Sequence, residues 1–333
     1  MNHSIHHATS NFTGRCRFRK LSSLAQLAVP LVAIATAAVS VVSGTLAYAD
    51  TIPLGLASGY GVLYEGTGGH NLQITNVTVN GNIGVGGTGV VQFNGPGAID
   101  GRLDFSAANT GQYSNSNPSN VAPTSVNYNV GNVTTALNSI NSLSSSFAGL
   151  GSSLAISGNQ SINESAGQLD TVNGTTYRVF NVTSYSENDG MVVTINSDGS
   201  GDAVVFNFGL NSNVNLGGDV TLNGLTDDQV LWNFTSSGQN IQLNNNASSF
   251  PKVAFQGVLL APNDKISLVN ANLDGRVFGG DSQDMQIVSG TTINVPTSVP
   301  EPSSLALSGI GLVGLWFAVR RSASIPVSRI KRV

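Results

Sequence analysis

Three groups of residues in this chain have types and spacings that could do chemistry. The first is a lone histidine. Three of the four histidines lie within the first seven residues, and the fourth, His70, ends the stretch Glu65-Gly66-Thr67-Gly68-Gly69-His70. A catalytic histidine needs an acid or nucleophile held beside it, and the local sequence supplies none. The glycines lack the Lys-Ser/Thr that completes a phosphate loop, so the stretch reads as a surface turn.

The second group is acidic. Asp227 and Asp228 are adjacent, and neighbours in a strand point to opposite faces, so the pair suits a turn or helix cap better than paired acid–base catalysis. Asp274, Lys265 and Arg276 are the residue types that cleave acidic polysaccharides on other β-folds, but nothing in their spacing requires that role. The third group is Asn196-Ser197-Asp198-Gly199-Ser200-Gly201-Asp202, which offers oxygen ligands at alternate positions, as calcium loops do, without the closing glutamate of an EF-hand. Calcium is therefore the one cofactor with any sequence support. The only cysteine is Cys16, so the chain beyond it has neither a disulfide nor a cysteine metal site.

Charge is segregated along the chain. The formal net charge of −4 conceals an acidic body, in which residues 50–299 carry 17 acids against five bases. Such a body repels nucleic acid rather than binding it.

The elements that must position these groups are mostly strands. The body is rich in Gly, Asn, Ser, Thr and Val, which suits short strands joined by tight turns. Within residues 72–105, Ile99-Asp100-Gly101-Arg102-Leu103-Asp104-Phe105 repeats Val79-Asn80-Gly81-Asn82-Ile83-Gly84-Val85 after 20 residues, and Leu273-Asp274-Gly275-Arg276-Val277 restarts the pattern of Phe255-Gln256-Gly257-Val258-Leu259 after 18. A repeat of this length, with a glycine turn and flanking apolar residues, predicts a β-solenoid of short strands; a β-sandwich is the alternative. Ala203-Val204-Val205-Phe206-Asn207-Phe208 is apolar enough for a strand buried on both faces. One helix interrupts the strands. Val133, Leu137, Ile140, Leu143, Phe147 and Leu150 form a single apolar stripe, with Asn132 expected as its cap and Gly149 or Gly151 as its stop. Thr and Asn recur on the strands, in Thr75-Asn76-Val77-Thr78-Val79-Asn80 and Val220-Thr221-Leu222-Asn223, and outward rows of them could bind ice or glycan.

The two ends read as addresses. Arg15, Arg17, Arg19 and Lys20 precede an apolar stretch over residues 24–46, and Ala47-Tyr48-Ala49 fits a signal-peptidase site, predicting Sec export and a mature chain from Asp50. At the other end Val299-Pro300-Glu301-Pro302 is followed by an uncharged apolar run over residues 305–319 and then by Arg320-Arg321. The run is short for a stable span and predicts a transient inner-membrane helix. The expected organisation is a signal peptide at 1–49, a β domain at 50–298, a sorting segment at 299–321 and a basic tail at 322–333.

This tail resembles the PEP-CTERM sorting signal of bacteria that make exopolysaccharide. The resemblance implies recognition of Pro300, Glu301 and Pro302 by an exosortase, with Arg320 and Arg321 as the stop; the twelve residues that follow depart from the family pattern. The body resembles the choice-of-anchor A family. That likeness rests on Tyr177-Arg178-Val179-Phe180-Asn181-Val182, Val230-Leu231-Trp232-Asn233-Phe234, Phe255-Gln256-Gly257-Val258-Leu259-Leu260-Ala261-Pro262-Asn263 and Leu273-Asp274-Gly275-Arg276-Val277. The order of these segments is similar to the solenoid of microbial ice-binding proteins and adhesins, whose long helix would be residues 133–150 here. Together these readings imply a non-enzymatic protein of the cell surface or extracellular matrix, associated with exopolysaccharide or biofilm. An ice- or glycan-binding adhesin module and a polysaccharide-active enzyme are the alternatives.

Overall fold

The computed structural model describes residues 51–107, 112–187, 190–244, 252–280 and 283–296. The expected signal peptide with Ala47 and Ala49, the sorting residues Pro300, Glu301, Pro302, Arg320 and Arg321, and the apolar run 305–319 lie outside them. Among the described residues no helix is long and apolar enough to cross a membrane.

The fold is a parallel β-solenoid with one long helix. Each coil visits three sides in turn, as in Val62–Tyr64, then Asn71–Thr75, then Thr78–Asn80, after which Ile83–Val85 stacks on Val62–Tyr64. The repeats seen in sequence are this stacking: Val79 pairs with Ile99 and Ile83 with Leu103, while Phe255 pairs with Leu273 and Gly257 with Gly275. Among the described residues one ladder is antiparallel, Gln168–Val172 against Thr175–Ser186. A sandwich of antiparallel sheets does not produce these registers.

Coil order in space is not coil order in the chain. The strands Val62–Tyr64, Ile83–Val85, Leu103–Phe105 and Val126–Asn127 form one block. The helix Gly131–Phe147 follows, and the chain then restarts at Ser152–Ser157, on the opposite edge of the same sheet. It winds back through Thr175–Ser186, Ala203–Phe208, Val230–Phe234 and Val253–Ala261 to Ala271–Gly279, which pairs with Val62–Tyr64. The first coil therefore rests on the last.

A glycine corner lets the chain turn from the third side into the helix-covered sheet. At Gly275, with φ +149, a Cβ would lie 1.9 Å from the Gly257 carbonyl oxygen, so no side chain fits. In the next coil Val295 occupies the corresponding place, and a Cβ on Gly81 beside it would come within 2.4 Å of the Val295 side chain. Asp100-Gly101-Arg102 and Asp274-Gly275-Arg276 are alike because both cross this corner.

The helix-covered sheet is buried on both faces, and Ala203–Phe208 is buried at every position. Alternation along each strand sends one set of side chains inward and the next toward the helix. Inside the solenoid Phe180, Phe206 and Trp232 stack at centroid distances of 5.1 and 4.6 Å, and Phe255 continues the column at 5.0 Å. On the other face Val205, Leu231, Val258, Leu260 and Phe278 meet Val133, Leu137, Ile140, Leu143 and Phe147 of the helix. This is the predicted stripe, and Gly149 follows its end with φ +77. The cap differs: Val130 precedes the first turn and makes no side-chain cap, while Asn132 lies inside the helix. Docking holds the helix start in place without a capping side chain.

Two buried asparagines tie the helix down. Asn233 Nδ2 donates to the Ser144 carbonyl at 3.0 Å and to Asn207 Oδ1 at 2.9 Å, and Ser144 Oγ donates to Asn233 Oδ1 at 2.6 Å. Asn207 Nδ2 donates to the Phe147 and Leu150 carbonyls at 2.6 and 3.2 Å, satisfying acceptors that the helix end leaves open.

Candidate functional site

The residues singled out from the sequence are not brought together. His70 follows the turn Thr67–Gly69 with its Nδ1 3.4 Å from Asp284 Oδ1, an oxygen that also accepts from the Asn71 backbone N–H at 2.9 Å. Asp227 and Asp228 open the 3₁₀ turn Asp227–Gln229, where Thr226 and Gln229 form a capping box, so the acidic pair does turn work as expected. Arg276 is buried. Its Nε and Nη2 donate to the two oxygens of Asp228 at 3.2 and 3.4 Å, and its Nη1 donates to the Tyr60 carbonyl at 3.2 Å. Its donors are spent on the fold. Burial, with Asp274 and Asp228 nearby, raises the Asp227 carboxyl to about 6. Lys265 begins Lys265–Val269 on the second side, whereas Asp274 lies on the third, so these three residues share no cleft.

The loop 196–202 is closed by an arginine. Arg178 Nε donates to Asp202 Oδ2 at 3.0 Å, and its Nη2 lies 3.5 Å from Asp198 Oδ2. Ser200 Oγ donates to the buried Glu164, whose other oxygen accepts from the Asp198 backbone N–H at 3.2 Å. The guanidinium supplies the positive charge that a cation would bring. Among the described residues no three His, Cys, Asp or Glu side chains are grouped to hold a metal ion.

What the structure does assemble is surface. On the second side Gln242, Ser267, Gln286, Gln73, Gln92 and Ser114 fall in one row across successive strands. Gln286 Nε2 donates to Gln73 Oε1 at 3.1 Å within that row. The third side carries a row in two runs. Asn163, Asn196 and Asn223 stand in register, and so do Asp274, Asn294 and Asn80. Amides link them: Asn223 to Asn196 at 3.0 Å, Asn294 to Asp274 at 2.7 Å and Asn80 to Asn294 at 2.7 Å. Between the two runs the backbones part, and side chains fill the gap. Asp219 accepts from the Ala254 N–H and Gln256 from the Leu222 N–H, each at 2.8 Å. The row beside it holds Ser161, Thr194 and Thr221, then Asn272, Thr292 and Thr78. Strand spacing sets a repeat of about 4.8 Å along both rows. Sequence alone marked Thr75–Asn80 and Val220–Asn223, but could not join Thr78–Asn80 to Val220–Asn223 on one side, because 139 residues of chain lie between them.

The solenoid's exposed faces are thus polar ladders, and its charged pairs hold turns together. The chain belongs to the ice-binding-like adhesive domain family, whose model matches residues 35–289. A PEP-CTERM protein-sorting motif matches residues 298–322. The family model that matches the body is thus the adhesive one, where the sequence reading named choice-of-anchor A. An adhesive domain followed by this motif is the make-up of an exported, surface adhesin-like protein, and the motif implies handling by an exosortase.

Similar solved structures include an ice-binding protein from the Antarctic ascomycete Antarctomyces psychrotrophicus, at 16% identity and TM-score 0.42 over 75% of this chain and 100% of that one. Another is an antifreeze ice-binding protein from an Arctic yeast, at 14% and 0.44 over 76% and 97%. A third is an ice-binding protein domain from Shewanella frigidimarina, at 14% and 0.43 over 75% and 99%. None of the curated proteins matches the chain.

Proposed function

We propose that this protein is a non-enzymatic adhesin that binds glycan of the exopolysaccharide matrix through its polar faces. The observation that carries this reading is the amide row on the third side, Asn163, Asn196, Asn223, Asp274, Asn294 and Asn80. Each asparagine amide offers both donors and acceptors and the Asp274 carboxylate adds acceptors, and together they line a repeating surface matched to a polymer of hydroxyl groups. In the same reading residues 1–49 are removed after Ala49, the run 305–319 holds an inner-membrane intermediate, and an exosortase acts at Pro300, Glu301 and Pro302. Release or attachment at the surface or in a biofilm follows.

The test is binding of the mature protein to polysaccharide extracted from its host. Saturable binding that falls in an Asn80→Ala/Asn294→Ala variant supports the reading, and absence of binding rejects it. Sequencing the mature C-terminus checks the processing: an end near Glu301 supports cleavage, and an intact Arg320-Arg321 points to a permanent anchor.

Ice is the second reading, favoured by the row Ser161, Thr194 and Thr221, whose hydroxyls repeat at strand spacing. Thermal hysteresis and recrystallisation assays decide it, since activity at high protein concentration is its requirement.

A further inference from the structure

An open groove of about 380 Å³ lies where the second side turns into the third. The turn is built from a column of left-handed residues, Asn270 at φ +52, Ser289 at +59, Asn76 at +56 and Gly95 at +77. Val77 and Pro96 line the groove, and Gly97 deepens it, because a Cβ there would lie 2.5 Å from the Val77 carbonyl oxygen. Thr78 and Thr292, neighbours on the third side, line it too. Lys252 completes it, with Nζ donating to the Gly290 carbonyl.

Lys252 is the cation of this groove, and most of the other cations are already paired. Arg102, Arg178, Arg276 and His70 each face a carboxylate, on Asp104, Asp202, Asp228 and Asp284 respectively. Lys265, on the second side, likewise makes no ion pair among the described residues, but it does not line the groove. Among the described residues Lys252 has no carboxylate within ion-pair distance, and no acid lines the groove. An ammonium has three donors, of which the Gly290 carbonyl takes one. In a body carrying 17 acids and five bases, this is a positive notch in a negative surface. The repulsion of distant acids is screened beyond about 8 Å at physiological salt, so the local lysine governs what enters.

We propose that this groove binds one anionic sugar residue of a polysaccharide. The sugar's anion sits on Lys252, its ring lies against the exposed Pro96, and its hydroxyls meet Thr78, Thr292 and Asn76. This rests on the glycan-binding reading and names the class of glycan. A carboxylate and a sulfate ester share the required chemistry.

The experiment titrates the mature protein with three oligosaccharide probes: oligogalacturonate, a sulfated carrageenan oligosaccharide and neutral cello-oligosaccharide. It compares wild type with Lys252→Gln, Lys252→Arg and Lys265→Gln, after thermal melting shows that each is folded. The expected result is a loss of about tenfold in affinity for an anionic probe in Lys252→Gln, in line with a charge-assisted hydrogen bond. Lys252→Arg and Lys265→Gln keep wild-type affinity, and neutral binding does not change. Whichever anionic probe responds identifies the anion. Equal anionic binding by wild type and Lys252→Gln overturns the groove while leaving the glycan reading intact. Equal losses for anionic and neutral probes overturn it as well. Failure of wild type to bind any of the probes overturns the groove, whereas the glycan reading falls only if host polysaccharide also fails to bind.

Discussion

Val62, in the first strand, pairs in parallel register with Val277, in the last strand on the helix-covered side. Two further ladders repeat this closure on the other sides, Leu72 with Met285 and Val79 with Ile293. The two ends of the body thus support each other through strand pairing, and the helix Gly131–Phe147 is what makes that arrangement possible by carrying the chain back between the blocks.

The corner glycines are the first place to test this packing. Gly275→Ala would force a Cβ into the Gly257 carbonyl at a backbone angle that suits glycine, and is expected to cost about 3 kcal/mol or more. Gly199→Ala has a positive φ of +82 but open space around it, and is expected to cost about 1 kcal/mol. Chemical denaturation of both variants measures the contrast, and equal losses would mean that the close approach at the corner does not matter.

Asn233 joins the helix to the sheet. Asn233→Ala removes its amide and leaves the Ser144 carbonyl and Asn207 Oδ1 short of a donor in a buried place. The expected loss is about 2–3 kcal/mol, against less than about 0.5 kcal/mol for Asn80→Ala on the exposed face. Denaturation midpoints give the comparison.

Glu187 makes stability depend on pH. It is 3% exposed, neither carboxyl oxygen has a hydrogen-bond partner among the described residues, and burial raises it from 4.5 to about 7. The folded state therefore holds a proton between these values that the unfolded state has lost. Stability falls as pH rises through this window and levels off above it, by up to about 3 kcal/mol in total. Asp227, raised to about 6, adds a smaller slope of the same sign. Glu187→Gln is expected to remove most of the decline and to be more stable than wild type at pH 8; melting curves across pH read this directly.

Arg178 predicts the response to calcium. Because its guanidinium already faces Asp198 and Asp202, chelator followed by added calcium is expected to leave the melting temperature of the wild type unchanged. Arg178→Ala leaves the partly buried Asp202 and the exposed Asp198 without their partner and is expected to lower the melting temperature. A calcium-dependent rise in the wild type would contradict this account of the loop.

Much of the site's raw material was visible as residue types. The Asp227-Asp228 turn, the helix stripe and the polar strands Thr75–Asn80 and Val220–Asn223 behave as their local patterns require. Arg276 shows the limit. It was set beside Asp274 and Lys265 as a group that could meet a polysaccharide, yet it is buried against Asp228 and Tyr60, which precede it by 48 and 216 residues. Asn132 was expected to cap a helix that begins one residue earlier. For Arg276 the deciding partners lie far away in the chain.

The unit of construction was written in the chain itself: short strands of period two, glycine corners, repeats of 18 and 20 residues, one amphipathic helix and an acidic body followed by a sorting motif. Those follow from local sterics and burial, which each coil carries within itself. Only the tertiary structure decided which coil lies on which. A parallel strand presents the same edge to any neighbour of matching register, so nothing local says that Val62 should meet Val277 rather than another coil. That choice is made by the helix filling one face of the sheet and by the fit of whole coils across the seam. It joins Asn80 to Asn294 and Asp274 in one row, encloses the groove beside Lys252, and turns scattered polar residues into a surface.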